Sequence, residues 1–182
     1  LPCAAKPSIF SHKGYSWYEL NIEGLAAHGS RPEQGINAIF PMQYALSELY
    51  KINEELLDEK PHAHLGHATL HPGMISGGTA QSVIASESNI KWERRTLPGE
   101  SKQKLDDELK RVVSAVLNAP GNHKVRASQI YNRPPNEVKN EPTIDILKKI
   151  AGNKDYDGMS YWADSALATM AGVPSILFGP AG

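Results

Sequence analysis

The chain has 182 residues, 40% of them hydrophobic, and a formal net charge of −1. That is enough for one medium domain, or a small domain with a piece of another; with Lys and Arg scattered, no basic footprint for nucleic acid or an anionic membrane is visible. No apolar run approaches the roughly 20 residues that span a bilayer, and a single cysteine, Cys3, excludes an internal disulfide framework and fits a reducing, cytoplasmic setting.

From Tyr15, YSWYELNIEG alternates apolar and polar residues and predicts a strand ended by Gly24. The corner LAAHGSRPEQG follows. Beyond it Ile39, Met42, Leu46, Leu49, Ile52 and Leu56 recur at spacings of three and four, predicting one face of a long helix with Pro41 near its start. HATLHPGMISGG reads as a strand interrupted or bulged at Pro72-Gly73. SVIASESNIKWERR reads as another strand, with Ile90, Trp92 and Arg94 on one face and Lys91, Glu93 and Arg95 on the other. Leu97-Pro98-Gly99 turns the chain into a second helix striped by Leu105, Leu109, Val112, Val113 and Val116, which Asn118-Ala119-Pro120-Gly121 stops. HKVRASQIY is the next strand. The order β-α-β-β-α-β over residues 14–131 predicts an α+β, ferredoxin-like domain.

Asn132-Arg133-Pro134-Pro135 marks a linker. PTIDILKKIAGN then predicts a short helix between Pro142 and Gly152. DSALATMAG predicts another, with Asp164 a candidate N-cap and Gly172 the C-terminal glycine. SILF is a short buried-strand run. These elements belong to an α/β layer whose other strands are not visible in the sequence. Leu1 is not an initiator Met and SILFGPAG ends in a Gly-Pro turn, so the chain is expected to be part of a longer protein.

Several residues carry candidate chemistry. His28, flanked by Gly29, reads either as a surface-turn histidine bonded to local backbone or as a ring projecting from a tight corner. Arg94 and Arg95 end a strand, and a guanidinium fork there suits a carboxylate or simply solvent. The Gly-Pro turn at Gly179 and Gly182 offers backbone N–H groups to an anion. His62, His64, His67 and His71 fall within ten residues, but a Pro/Gly break leaves no common periodicity to align all four on a metal. Trp17, Tyr18 and Trp92 are expected in the sheet and core.

Three stretches in order resemble a known family: HKGYSWYELNIEGLAAHGSRPEQGINAI, ISGGTAQSVIASESNIKWERRTLPGE and YWADSALATMAGVPSILFGP. Together they are similar to the zinc-dependent exopeptidases and amidohydrolases that include acetylornithine deacetylase, succinyl-diaminopimelate desuccinylase, aminoacylase and carboxypeptidase G. The resemblance implies an α/β catalytic domain holding two divalent metal ions, zinc or cobalt, interrupted by a ferredoxin-like lid that also makes a homodimer. Residues 1–13 and 132–182 would be pieces of that catalytic domain, and 14–131 the lid and dimerisation domain.

The same resemblance implies roles. His28 would stabilise the oxyanion of a tetrahedral intermediate, often in the partner's site, and Arg95 would anchor the substrate carboxylate while Arg94 serves packing or a salt bridge. Gly179 and Gly182 would line the substrate pocket. Ser82 stands where the family usually has an asparagine that holds substrate, and Ala85 where proline is common. The metal ligands and the general-base glutamate have no counterpart in this stretch, so no metal ligand is expected in it, and the chain by itself is expected to be inactive. The implied substrate is an N-acyl amino acid or small peptide. A non-catalytic ferredoxin-like dimerisation or ligand-binding module is the alternative.

Overall fold

The structure, a computed structural model, describes residues 8–139, 142–151 and 156–177. Chain order begins with β1 (Ser8–His12), β2 (Gly14–Glu23), the two-residue β3 (Ala27–His28) and α1 (Met42–Asp58). Then come β4 (Thr69–Gly77), β5 (Val83–Ile84), β6 (Glu87–Thr96), α2 (Lys102–Leu117) and β7 (Lys124–Arg133). β8 (Asn136–Glu137), α3 (Pro142–Ala151), β9 (Tyr156–Met159) and α4 (Ser165–Met170) follow.

The main sheet runs β4-β6-β2-β7 with every neighbouring pair antiparallel, and α1 and α2 cover one face. This is the α+β, ferredoxin-like β-α-β-β-α-β arrangement predicted from the alternation of apolar periods. Strand parity sorts the two faces. Tyr18, Leu20 and Ile22 of β2 and Ile90 and Trp92 of β6 point to the helices. They meet Met42, Ala45, Leu49, Ile52 and Leu56 of α1 and Val112 and Val116 of α2. Tyr18 and Trp92 stack with centroids 5.2 Å apart. Ser101 caps α2, its side chain accepting from the Lys104 amide.

Four expectations need correction. Ile39 precedes α1, which starts only after Pro41, and Ile39 and Leu46 are exposed while Ala45 takes the buried position. The helix phase is set from Met42, and 42, 45, 49, 52 and 56 follow its turn more closely. Trp17, expected in the sheet and core, lies in the sheet but on its open face, exposed, its indole N–H donating to Glu93. The segment SVIASESNIKWERR is two strands: Val83–Ile84 leaves the main sheet to pair with Ala27–His28. Between them the Ala85 and Ser86 carbonyls are taken by the amides of Ala38 and Gly24. Asp164 flanks α4 with helical backbone angles, and its side chain makes no capping bond.

Other punctuation falls where the residues indicate. β4 shifts register between Pro72 and Met74. β7 carries a bulge as well: Tyr131 faces Trp17 and Gln129 faces Tyr18, leaving Ile130 as the extra residue. Gly172, at φ +88°, ends α4 in the left-handed conformation, and the Val173 amide returns to the Ala168 carbonyl at 3.0 Å. A second sheet, β8-β1-β9, joins the two ends of the chain, with β1 and β9 parallel. The SILF run is described only as far as Leu177. No described helix is long and apolar enough to cross a membrane.

Candidate functional site

The corner that carries His28 is built by β3 and β5. His28 pairs with Val83, and the next amide, Gly29, donates to the Ser82 carbonyl at 2.7 Å. Glycine eases that approach: a Cβ at residue 29 would sit 3.0 Å from the Ser82 oxygen, tight enough that the strand would have to give slightly. The chain then turns, the Arg31 amide reaching the His28 carbonyl at 2.8 Å. The imidazole is exposed, with Nδ1 2.8 Å from Ser30 Oγ and 3.2 Å from the Ser30 amide. Ser82 thus lies beside the His28 corner through the Gly29 amide.

Arg95 lies at the other end. Tyr15 pairs with Arg95 and Glu23 with Glu87, so the His28 corner is joined at the Glu87 end of β6. Eight residues separate Glu87 from Arg95, about 26 Å at ~3.3 Å per residue. A single copy does not bring His28 against Arg95. The Arg95 guanidinium lies over the Tyr15 ring, 5.4 Å from its centroid, and its Nε donates to Glu93 at 2.6 Å. Its terminal nitrogens make no hydrogen bond among the described residues. Arg95 lines an open pocket of about 330 Å³ together with Lys13, Thr69, His71, Glu93, Ser160 and Tyr161. Lys13 donates to the His67 carbonyl at 2.6 Å. Burial, followed by the charges of Arg95 and Arg94, holds it below the usual lysine range.

Arg94 points the opposite way and is wholly buried, bridged to Glu100 at 2.6 Å and Glu108 at 2.9 Å. Burial alone would raise Glu100, but hydrogen bonds from Arg94 and the Leu97 amide keep its carboxyl below the ordinary range. Gly179 and Gly182 lie outside the described residues.

The four clustered histidines diverge. His62 Nε2 meets Glu137 at 3.2 Å, and its Nδ1 accepts from the His64 amide. His64 packs edge-on against Phe10. The His67 carbonyl serves Lys13, and His71 sits exposed on β4. Among the described residues no three His, Cys, Asp or Glu side chains converge to hold a metal ion.

The region between the two sheets holds residues whose contacts the sequence does not announce. His12 is buried, its Nδ1 donating to the Lys13 carbonyl and its Nε2 accepting from Ser165 Oγ, both at 3.0 Å. Burial outweighs the Lys13 carbonyl bond and keeps the ring below the usual histidine range. Trp162 donates to the Pro134 carbonyl at 3.1 Å and meets Tyr15 edge-on. Ser30 and Glu93 contact His28 and Arg95 and have no motif of their own in the sequence. Each lies two positions from a singled-out residue, which was the available signal.

Comparison with known proteins adds a family. Residues 10–119 match the model of the M20 peptidase dimerisation domain. An acetylornithine deacetylase of Pectobacterium atrosepticum is 31% identical over 189 residues, covering 98% of this chain and 47% of the relative. One from Buchnera aphidicola subsp. Schizaphis graminum is 28% identical over 144 residues, covering 78% of this chain and 37% of the relative. This chain thus spans about half, or less, of the curated relatives it matches. The crystal structure of a Staphylococcus aureus tripeptidase superposes with a TM-score of 0.68 at 19% identity, covering 95% of this chain and 45% of that one. At that identity the likeness establishes the fold.

Proposed function

This chain belongs to the M20 family of peptidase dimerisation domains, and from that membership we propose that it is the lid and self-association portion of a metal-dependent amidohydrolase or peptidase. Residues 14–131 form the lid, and 1–13 with 132–182 form the adjoining part of the catalytic side. The substrate is an amide beside a free carboxylate, an N-acyl amino acid or small peptide. Relatives named acetylornithine deacetylase favour the N-acyl amino acid.

The observation that carries this reading is the spacing of the candidate residues. His28 and Ser82 stand at one end of β6, while Arg95 stands at the other, facing Ser160 and Tyr161 of the C-terminal segment. One small substrate cannot span about 26 Å. A site using both combines Arg95 of one copy with His28 and Ser82 of another. Arg95 anchors the carboxylate through its unengaged nitrogens. His28 donates to the developing oxyanion, a contribution of about 10²–10³ in kcat for such donors.

Two divalent ions, zinc or cobalt, would activate water in the whole enzyme. No three His, Cys, Asp or Glu side chains among the described residues stand together for such an ion, and the roles proposed for this chain are binding and orientation. Self-association uses the β4 edge, where Met74 and Ile75 are 66% and 58% exposed beside unpaired backbone groups.

The test is subunit complementation in the full-length, metal-loaded protein. His28→Ala and Arg95→Ala chains are each expected to be nearly inactive. Mixed and reassorted in equal amounts, they give hybrid dimers with one complete site, returning about a quarter of the unmutated activity by random pairing. No recovery in verified hybrids would overturn the shared site.

A further inference from the structure

We infer that Ser30 is a positioning residue that decides which nitrogen of His28 carries the proton; the inference rests on the reading of His28 as an oxyanion donor. A neutral imidazole has one N–H and one bare lone pair, and only the N–H end can stabilise an oxyanion. Which end faces outward is therefore a chemical requirement of the site.

The corner answers it with two donors from one residue. The Ser30 amide lies 3.2 Å from His28 Nδ1, and a backbone amide can only donate, so Nδ1 is the accepting nitrogen. Ser30 Oγ, 2.8 Å from the same nitrogen, is then left to donate to it too. A hydroxyl alone would not decide the matter, since it donates or accepts with equal ease. The amide removes that freedom. The proton is thereby placed on Nε2, which makes no hydrogen bond among the described residues and belongs to an exposed ring.

The backbone holds Ser30 where this works. The Gly29 amide is fixed to Ser82 on β5, and the Arg31 amide closes the turn on the His28 carbonyl. Ser30 occupies the third position of that turn, directing its amide back across it. The segment around Ser82 thus supports the His28 ring through Gly29 and Ser30. Such an outer partner fixing a histidine tautomer is the arrangement that orients reactive imidazoles elsewhere.

The experiment reads the tautomer directly. In the full-length protein, long-range proton–nitrogen NMR follows both His28 nitrogens with the ring neutral. Nδ1 is expected to be bare and Nε2 protonated. Ser30→Ala removes the hydroxyl donor and is expected to lower the Nε2–H to Nδ1–H ratio roughly fivefold, the weight of one ordinary hydrogen bond. Ser30→Thr keeps both donors and restores the ratio. A chain with Nδ1 protonated, or an Ser30→Ala chain with its ratio unchanged and its fold intact, overturns the assignment. This readout needs neither substrate nor metal. If the tautomer behaves as stated while His28→Ala leaves turnover of the full-length enzyme unchanged, the oxyanion role fails and the Ser30 assignment stands.

Discussion

Arg94 and Arg95 are adjacent and do opposite work, because neighbouring residues on a strand face opposite sides of the sheet. Arg94 enters the interior and survives there by pairing with Glu100 and Glu108. Replacing it with Met strands two carboxylates against the core, and a loss of about 3–5 kcal/mol is expected in urea unfolding. The pH dependence has a definite sign. Glu100 is depressed below its ordinary value of 4.5, so its contribution is fully present above that pH and fades as pH falls through the lower folded value. Glu100→Gln should flatten the acid limb of a stability–pH curve relative to the unmutated chain. Parity on IKWERR puts the two arginines on opposite faces from sequence alone, whereas which of them would meet substrate is implied only by the family resemblance. The partners were not readable: Glu100 and Glu108 sit on the turn and helix that follow, and no spacing rule says which acid a buried arginine will find. His28 was legible as a corner residue, whereas its bond to Ser30 depends on a backbone direction that composition does not encode.

At the scale of elements, α1 and the two edge strands govern behaviour. Leu49 is fully buried against β2 and β6, and Leu49→Ala is expected to cost about 2–5 kcal/mol, read from the urea midpoint at constant slope. β4 tests assembly instead. Ile75→Lys places a charge on an already exposed edge, so it should leave the unfolding midpoint nearly unchanged while shifting sedimentation toward the monomer. An unchanged sedimentation profile would remove β4 from the interface. Strands and helices with six or more alternating positions were legible. β1, β9 and β3 were not, because they are short and obtain their pairing from distant parts of the chain. The same reason explains the division of SVIASESNIKWERR. No glycine or proline separates Val83 from Trp92, and the break appears only where the amides of Ala38 and Gly24 take the Ala85 and Ser86 carbonyls.

For the whole molecule, the question is how firmly the main sheet is tied to β8-β1-β9. Among the described residues the ties include Lys13 to the His67 carbonyl, His62 to Glu137, His64 to Phe10, and Trp162 to the Pro134 carbonyl, Tyr15 and Arg133. Trp162→Ala should accelerate amide exchange in α4 and β9 while leaving β2 and β6 protected, a pattern that mass-spectrometric hydrogen exchange resolves. Uniform acceleration across all four elements would mean that the sheets open as one unit. A different consequence attaches to the extra residue Ile130 in β7. A sheet with two receptive borders that added copies at both would grow without limit, as head-to-tail contacts do when their rotation fails to close. The bulge breaks the regular spacing of donors and acceptors on the β7 border. If copies pair through β4 as proposed, the extra residue Ile130 would disfavour a second pairing through β7, and growth would end at a closed assembly.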